Sequence, residues 1–301
     1  MVISRSSAAM GRKVLQSAAL GAVGLCVLTS CAFASAPSSD HSSTGQTRSS
    51  TQKVSGDVSV FAAASLTDVL EKFEAAFESY SSGTSTSPGT ATSPGASSSP
   101  GTATTTSRVN FISNVAGSQS LVQQVNGGTM PDVLITADEA SIAAIEDQAA
   151  FENKGIIAKN TLVLVVPHDS SLNSIEDFMA HLSSGQEPRV ARCASDVPCG
   201  RATQTFVDAQ KLSLTNVSEE ADVRSVLSKV SSGEVDAGFV YATDAKSAGE
   251  NVKTLQLQDA PTNTYSLLVR KDASEAGRAF ATWLTGKDAR AIFQDAGFET
   301  P

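Results

Sequence analysis

Positive charge is scarce in this chain: its 301 residues carry 22 Lys and Arg against 31 Asp and Glu, for a formal net charge of −9. Such a balance provides no field to hold a polyanion and excludes nucleic-acid binding. It also excludes an anion site built from clustered Lys and Arg, so any oxyanion bound here has to be held mainly by neutral donors. Histidine is scarcer still. His41, His168 and His181 are scattered, and none stands near a cysteine at ligand spacing, which argues against a metal site. The serines at expected helix starts lie in no Gly-x-Ser-x-Gly elbow, and no histidine occupies a motif that supplies a base, so a secreted serine hydrolase is disfavoured. Beyond residue 31 no stretch is long and apolar enough to span a bilayer.

What is present begins with Arg5, Arg12 and Lys13 ahead of a short apolar run at 14–28, the pattern of a secretory signal. Leu28-Thr29-Ser30-Cys31 has the Leu-small-small-Cys form of a bacterial lipoprotein cleavage box. Residues 1–30 are therefore expected to be a lipoprotein signal peptide and Cys31 the lipid-bearing mature N-terminus, anchored to the membrane without spanning it. Cleavage removes three positive charges and no negative one, which moves the net charge from −9 to −12. Residues 31–56 are Ser/Thr-rich and nearly free of large apolar side chains, as expected of a flexible tether. A second such tract at 79–107 contains Ser87-Pro88-Gly89, Ser93-Pro94-Gly95 and Ser99-Pro100-Gly101, and reads as a disordered, solvent-exposed insertion. Somewhat over two hundred residues remain, which suits two lobes better than one core.

The segment Val60-Phe61-Ala62-Ala63-Ala64-Ser65-Leu66-Thr67-Asp68 runs an apolar strand straight into a Ser-x-x-Asp helix start. Small residues at the strand end let a ligand approach the backbone, and the following helix begins with unpaired N–H groups carrying about half a positive charge. Three further starts of this kind are Gly117-Ser118 before 121–125, Pro198-Cys199-Gly200 before 202–207, and Ala221-Asp222-Val223 before 226–230. Cys193 and Cys199 fall within one loop and are expected to form a disulfide in an oxidising compartment. Closing so small a loop contributes ~2 kcal/mol, so the bond matters more for the shape of 197–200 than for global stability.

Strands are expected at 58–62, 109–112, 133–136, 162–166, 189–191, 237–241 and 265–269, mostly short apolar runs of the kind buried between helix layers. Helices lie between them. Leu66, Val69, Leu70, Phe73 and Phe77 form one apolar stripe, Ala276, Phe280, Trp283 and Leu284 another, and Ile292 and Phe293 precede a stop at Gly297. The alternation predicts open α/β sheets, in which ligands bind at the carboxyl ends of strands.

Phe61-Ala62-Ala63-Ala64-Ser65-Leu66-Thr67, then Ala116-Gly117-Ser118, then Pro131-Asp132-Val133-Leu134-Ile135-Thr136-Ala137-Asp138 together resemble the periplasmic molybdate-binding proteins of ABC transporters. Asn160-Thr161-Leu162-Val163-Leu164-Val165-Val166-Pro167, Val197-Pro198-Cys199-Gly200, Asp222-Val223-Arg224 and Val240-Tyr241-Ala242-Thr243-Asp244-Ala245 follow in the family's order, so the resemblance covers about 58–298. It implies a type II periplasmic-binding-protein-like fold of two open α/β lobes with the ligand cleft between them. Lobe 1 is expected from 57–166 with 256–301, and lobe 2 from 167–255. It further implies a monomeric receptor without a cofactor that captures molybdate, and tungstate, for an ABC permease with its ATPase. By motif, the ligand-contacting positions are Ser65 and Ser118 through hydroxyl and backbone N–H, Cys199 and Val223 through backbone N–H, and Tyr241 through its hydroxyl. Cys199 stands where the family usually has a small residue such as Ala.

Taken singly these residues have plainer readings. Ser65 and Ser118 are helix caps, Val223 is a core residue, Tyr241 is a strand aromatic, and Cys199 is a disulfide partner rather than a reactive thiol. Their joint order in a secreted α/β chain favours the receptor. A receptor for another tetrahedral oxyanion such as sulfate is the nearest alternative; a serine hydrolase and an adhesin come after it.

Overall fold

The structure is a computed structural model that describes residues 54–83 and 108–301. The expected signal peptide 1–30, the lipidation site Cys31, and most of the tether and of the insertion lie outside the described residues. Both tracts are shorter than the composition suggests. Val54 is already buried and Gly56 already opens a strand, while Ser79 and Ser81 close a helix.

In chain order the elements are β1 (Gly56–Ala63), α1 (Thr67–Ser81), β2 (Val109–Ala116), α2 (Ser118–Asn126), β3 (Val133–Thr136) and α3 (Glu139–Ala143). They continue with β4 (Phe151–Pro167), α4 (Ile175–Ser183), β5 (Val190–Cys193), α5 (Pro198–Ala209), β6 (Val217–Glu220) and α6 (Val223–Ser231). The chain ends with β7 (Ala237–Tyr241), α7 (Ala242–Ala248), β8 (Val252–Leu255), β9 (Thr262–Arg270), α8 (Glu275–Leu284) and α9 (Lys287–Ala296). Strand order is β2-β1-β3-β9-β4-β7-β5-β6, with β8 on β4. Pairs among β1, β2 and β3 are parallel, as are β5–β6 and β5–β7, and β9 runs antiparallel to both β3 and β4. Among the described residues no helix is long and apolar enough to cross a membrane.

Among the described residues three apolar clusters flank this path, and they fall into two groups, the first of them made of two clusters on opposite faces of β1. In the first, β1 alternates its faces: Val58, Val60 and Ala62 meet Phe73, Phe77, Phe280 and Phe293 on one side, while Phe61 joins Leu121, Leu134 and Leu268 on the other. The α1 stripe reads as expected, with Phe73 edge-on to Phe293 at 4.7 Å and Phe77 edge-on to Phe280 at 5.2 Å. Gly297 takes the left-handed conformation (φ 99°) that ends α9. The second core gathers Leu162, Leu164, Phe178, Phe206, Val226 and Phe239.

Strand β4 belongs to both. It pairs with β9 through Thr161↔Thr262 and changes partner at once to β7, from Leu162↔Tyr241. The strand expected at 162–166 is thus the second half of a longer one. Its first half escapes notice because Glu152, Lys154 and Lys159 break the apolar pattern and the register slips on either side of Gly155. Strands β6 and β8 were not expected either, since Val217-Ser218-Glu219-Glu220 and Val252-Lys253-Thr254-Leu255 are too short and polar to show a period. Strand β5 sits slightly later than 189–191.

Candidate functional site

At the carboxyl ends of the strands the backbone turns into helix starts from both cores. After β1 the chain makes a 3-10 turn, Ala64–Leu66, and enters α1; after β2, Gly117 leads into α2. From the second core, Val197 precedes α5, Asp222 precedes α6, and β7 ends on Tyr241. All five sequence-selected residues, Ser65, Ser118, Cys199, Val223 and Tyr241, line one cavity together with Ala63, Gly117, Ala137, Val197 and Asp222. The cavity is small, about 10 Å³, so it suits a compact ligand and not a sugar or peptide. Among the described residues no Lys, Arg or His lines it. A larger open groove of about 560 Å³ involves Pro167, His181 and Asp236, but it lies at the amino end of β7, and Asp236 is already paired with Arg189.

The serines are not helix caps. Ser118 Oγ accepts a hydrogen bond from the Ala137 N–H (3.0 Å), which leaves its own hydrogen free for the cavity. Ser65 lies in the 3-10 turn, and its Oγ is 2.7 Å from Tyr265 Oη. The Ser-x-x-Asp pattern is therefore no capping box here: the residue before α1 is Leu66, and no side chain caps that helix. Cys199 and Val223 sit in the first turns of α5 and α6, where backbone N–H groups have no partner within the helix. Asp222, the one acidic residue on the wall among the described residues, spends its carboxylate capping the Ser225 N–H at 2.9 Å.

Cys199 is bonded to Cys193, with Cα atoms 5.7 Å apart. The loop so closed lies hard against α5: a Cβ on Gly200 would fall 1.8 Å from the Ala194 oxygen, so only glycine fits there. Tyr241 is 1% exposed, and its hydroxyl has no hydrogen-bond partner among the described residues. Burial pushes its pKa well above the ordinary phenol value, so the group is a neutral donor. Beneath it Asp244 is wholly buried and its pKa is raised to about 7 by burial, against the pull of Arg224 and of the Tyr241 N–H.

Contacts between the two cores ring the cavity. Arg201 Nε donates to Asp138 at 2.7 Å, Arg224 to Asp68 at 3.0 Å, and Gln119 Nε2 to the Ala221 oxygen at 3.0 Å. Sequence reasoning missed these pairs, and it missed Tyr265 behind Ser65. Two of their members stood next to selected positions, Arg224 beside Val223 and Gln119 beside Ser118.

Over residues 58–299 the chain matches the family described as bacterial extracellular solute-binding protein. The molybdate-binding protein ModA of Mycobacterium tuberculosis is 33% identical over 198 residues, which cover 64% of this chain and 74% of that protein. The solved periplasmic molybdate-binding protein of Azotobacter vinelandii superposes with a TM-score of 0.61 at 18% identity, over 81% of this chain and 99% of that one. The sulfate-binding protein SubI of M. tuberculosis gives 0.63 at 14% identity, over 81% and 86%. The last two likenesses are of fold, the type II periplasmic-binding-protein architecture. The chain belongs to the bacterial extracellular solute-binding proteins, with a molybdate-binding protein among its relatives.

Proposed function

We propose that this chain is an extracytoplasmic receptor that captures molybdate, and tungstate, and delivers it to the permease of an ABC importer powered by its ATPase. The observation that carries the reading is the unpartnered Tyr241 hydroxyl on the wall of a cation-free cavity where helix starts from both cores converge. A buried hydroxyl without a partner costs about 1–3 kcal/mol, which an oxyanion's oxygen would recover. Four helix starts of about +0.5 charge apiece match the scale of one dianion without a salt bridge. Hydrogen bonds to a charged group contribute about 1.5–3 kcal/mol each, so several convergent donors offset dehydration and give sub-micromolar binding.

In this reading Ser65 and Ser118 donate through hydroxyl and backbone N–H, Cys199 and Val223 through backbone N–H, and Tyr241 through its hydroxyl. Residues 57–166 with 256–301 form one lobe and 167–255 the other, and they close around the ion. The receptor works as a monomer without a cofactor, held to the membrane by lipid on Cys31.

The tightness of the cavity makes sulfate the second reading. Calorimetric titration with molybdate, tungstate, sulfate and phosphate separates the two. Molybdate and tungstate are expected to bind at least tenfold more tightly than sulfate, since a smaller ion cannot reach every donor and each donor left unpaired costs about 1–3 kcal/mol. Binding of none of the four ions would end the proposal, and a preference for sulfate would hand it to the second reading.

A further inference from the structure

Behind Ser65 runs a chain of buried hydrogen bonds whose direction is set at one end. Asn160 lies on β4 just before the strand changes partner. Its Oδ1 accepts from the Thr161 N–H at 3.1 Å, so its Nδ2 hydrogens point the other way, to Thr243 Oγ1 at 2.7 Å and Tyr265 Oη at 3.3 Å. Nδ2 is a donor only. Tyr265 Oη therefore accepts from Asn160, and of the two directions open to its 2.7 Å contact with Ser65 Oγ, the one that uses the phenol's single hydrogen has Tyr265 donating. Ser65 Oγ in turn accepts, and its own hydrogen is left for the cavity wall that it lines. Tyr265 and Asn160 are both buried, so no bulk solvent competes for these bonds.

From this we infer that Asn160 and Tyr265 are positioning residues that fix the Ser65 hydroxyl as a donor to the bound oxyanion. The inference rests on the receptor reading above and extends it to two residues that do not line the cavity. Without Tyr265 Oη the Ser65 hydroxyl is free to turn its hydrogen elsewhere and its lone pairs toward the ion, which repels them. Ser118 is set the same way by a different donor, the Ala137 N–H, so each of the two serines of the first core has an acceptor position filled and its hydrogen left for the cavity. Thr243, on the second core's α7, receives the other Asn160 hydrogen, which ties the orientation of the amide to both cores.

A double-mutant cycle with molybdate as the probe tests this. Tyr265→Phe keeps the ring and removes only the hydroxyl, and is expected to weaken binding about fivefold to twentyfold. In a Ser65→Ala background the same change is expected to cost less than about twofold, because the hydroxyl it positions is gone. A purely structural role for Tyr265 predicts equal losses in both backgrounds, and that result, or an unchanged affinity in Tyr265→Phe, overturns the inference while leaving the receptor reading intact. Should Tyr265→Phe not fold, Asn160→Leu cuts the chain one bond earlier and is judged by the same two comparisons. Failure of the unaltered protein to bind any of the four oxyanions would overturn the receptor reading and this inference with it.

Discussion

Gly117 faces the carbonyl oxygen of Ala221 across the cavity mouth so closely that a Cβ on Gly117 would stand 2.5 Å from it. Gly117 belongs to the first core's turn into α2, Ala221 to the second core's turn into α6, and the Gln119 amide bridges the same oxygen. Glycine is required here by the approach of two backbones and not by its own dihedrals, which are ordinary (φ −57°).

Gly117→Ala should therefore fold normally yet resist closure. We expect molybdate affinity to fall by at least tenfold, and small-angle scattering with saturating ligand to show a larger radius of gyration than the unaltered protein. Equal compaction in both would show that the two turns do not need this contact.

Tyr241→Phe should act in opposite directions on stability and on binding. Removing a buried hydroxyl that has no partner relieves a cost of about 1–3 kcal/mol in the empty protein, while the same hydroxyl would give an oxyanion one of its hydrogen bonds. Thermal denaturation without ligand should show a melting temperature at least as high as the unaltered protein's, and calorimetry should show molybdate affinity reduced fivefold or more. A variant that is destabilised and binds normally would place the hydroxyl's partner elsewhere.

Asp244 makes stability depend on pH in an unusual sense for a carboxylate. Its folded pKa of about 7 lies above the unfolded value near 3.8, so the folded state holds the proton more tightly. The group's contribution is then full below about pH 4 and is lost as pH rises toward 7, to the extent of roughly 4 kcal/mol at 1.36 kcal/mol per pKa unit. Asp132 and Asp236 carry the opposite sign, because their pKa values are lowered, and they lose their contributions only in acid. The difference between the unaltered protein and Asp244→Asn isolates the effect: urea unfolding should show the variant gaining relative stability between pH 5 and pH 8. A constant difference across that range would mean that Asp244 stays ionised throughout.

Much of this architecture was legible in the residues, and the reason differs from element to element. Strands β3 and β7 fall where the runs 133–136 and 237–241 place them, because both are buried along their whole length and, apart from Thr136 at the end of β3, carry no charged or strongly polar residue. The helix starts beside Ser118, Cys199 and Val223 were readable from Gly, Pro and Asp, whose backbone chemistry is local. The serine hydroxyls were not: their partners, Tyr265 and Ala137, lie 200 and 19 residues away, and no short spacing encodes them. Arg201–Asp138 and Arg224–Asp68 escaped for the same reason, since each joins residues that only the folded chain makes neighbours.

The partner switch within β4 has a mechanical side. Next to it the chain returns between the cores, and the Leu162 N–H donates to the Pro261 oxygen at 3.0 Å, so the outgoing and returning strands are stitched together where they cross. Two strands laced side by side flex about one axis far more readily than they twist or slide. On the receptor reading proposed above, the halves would then swing along a narrow arc like a door on a two-pin pivot, and an ion that drew them shut would have little rotational freedom left to freeze.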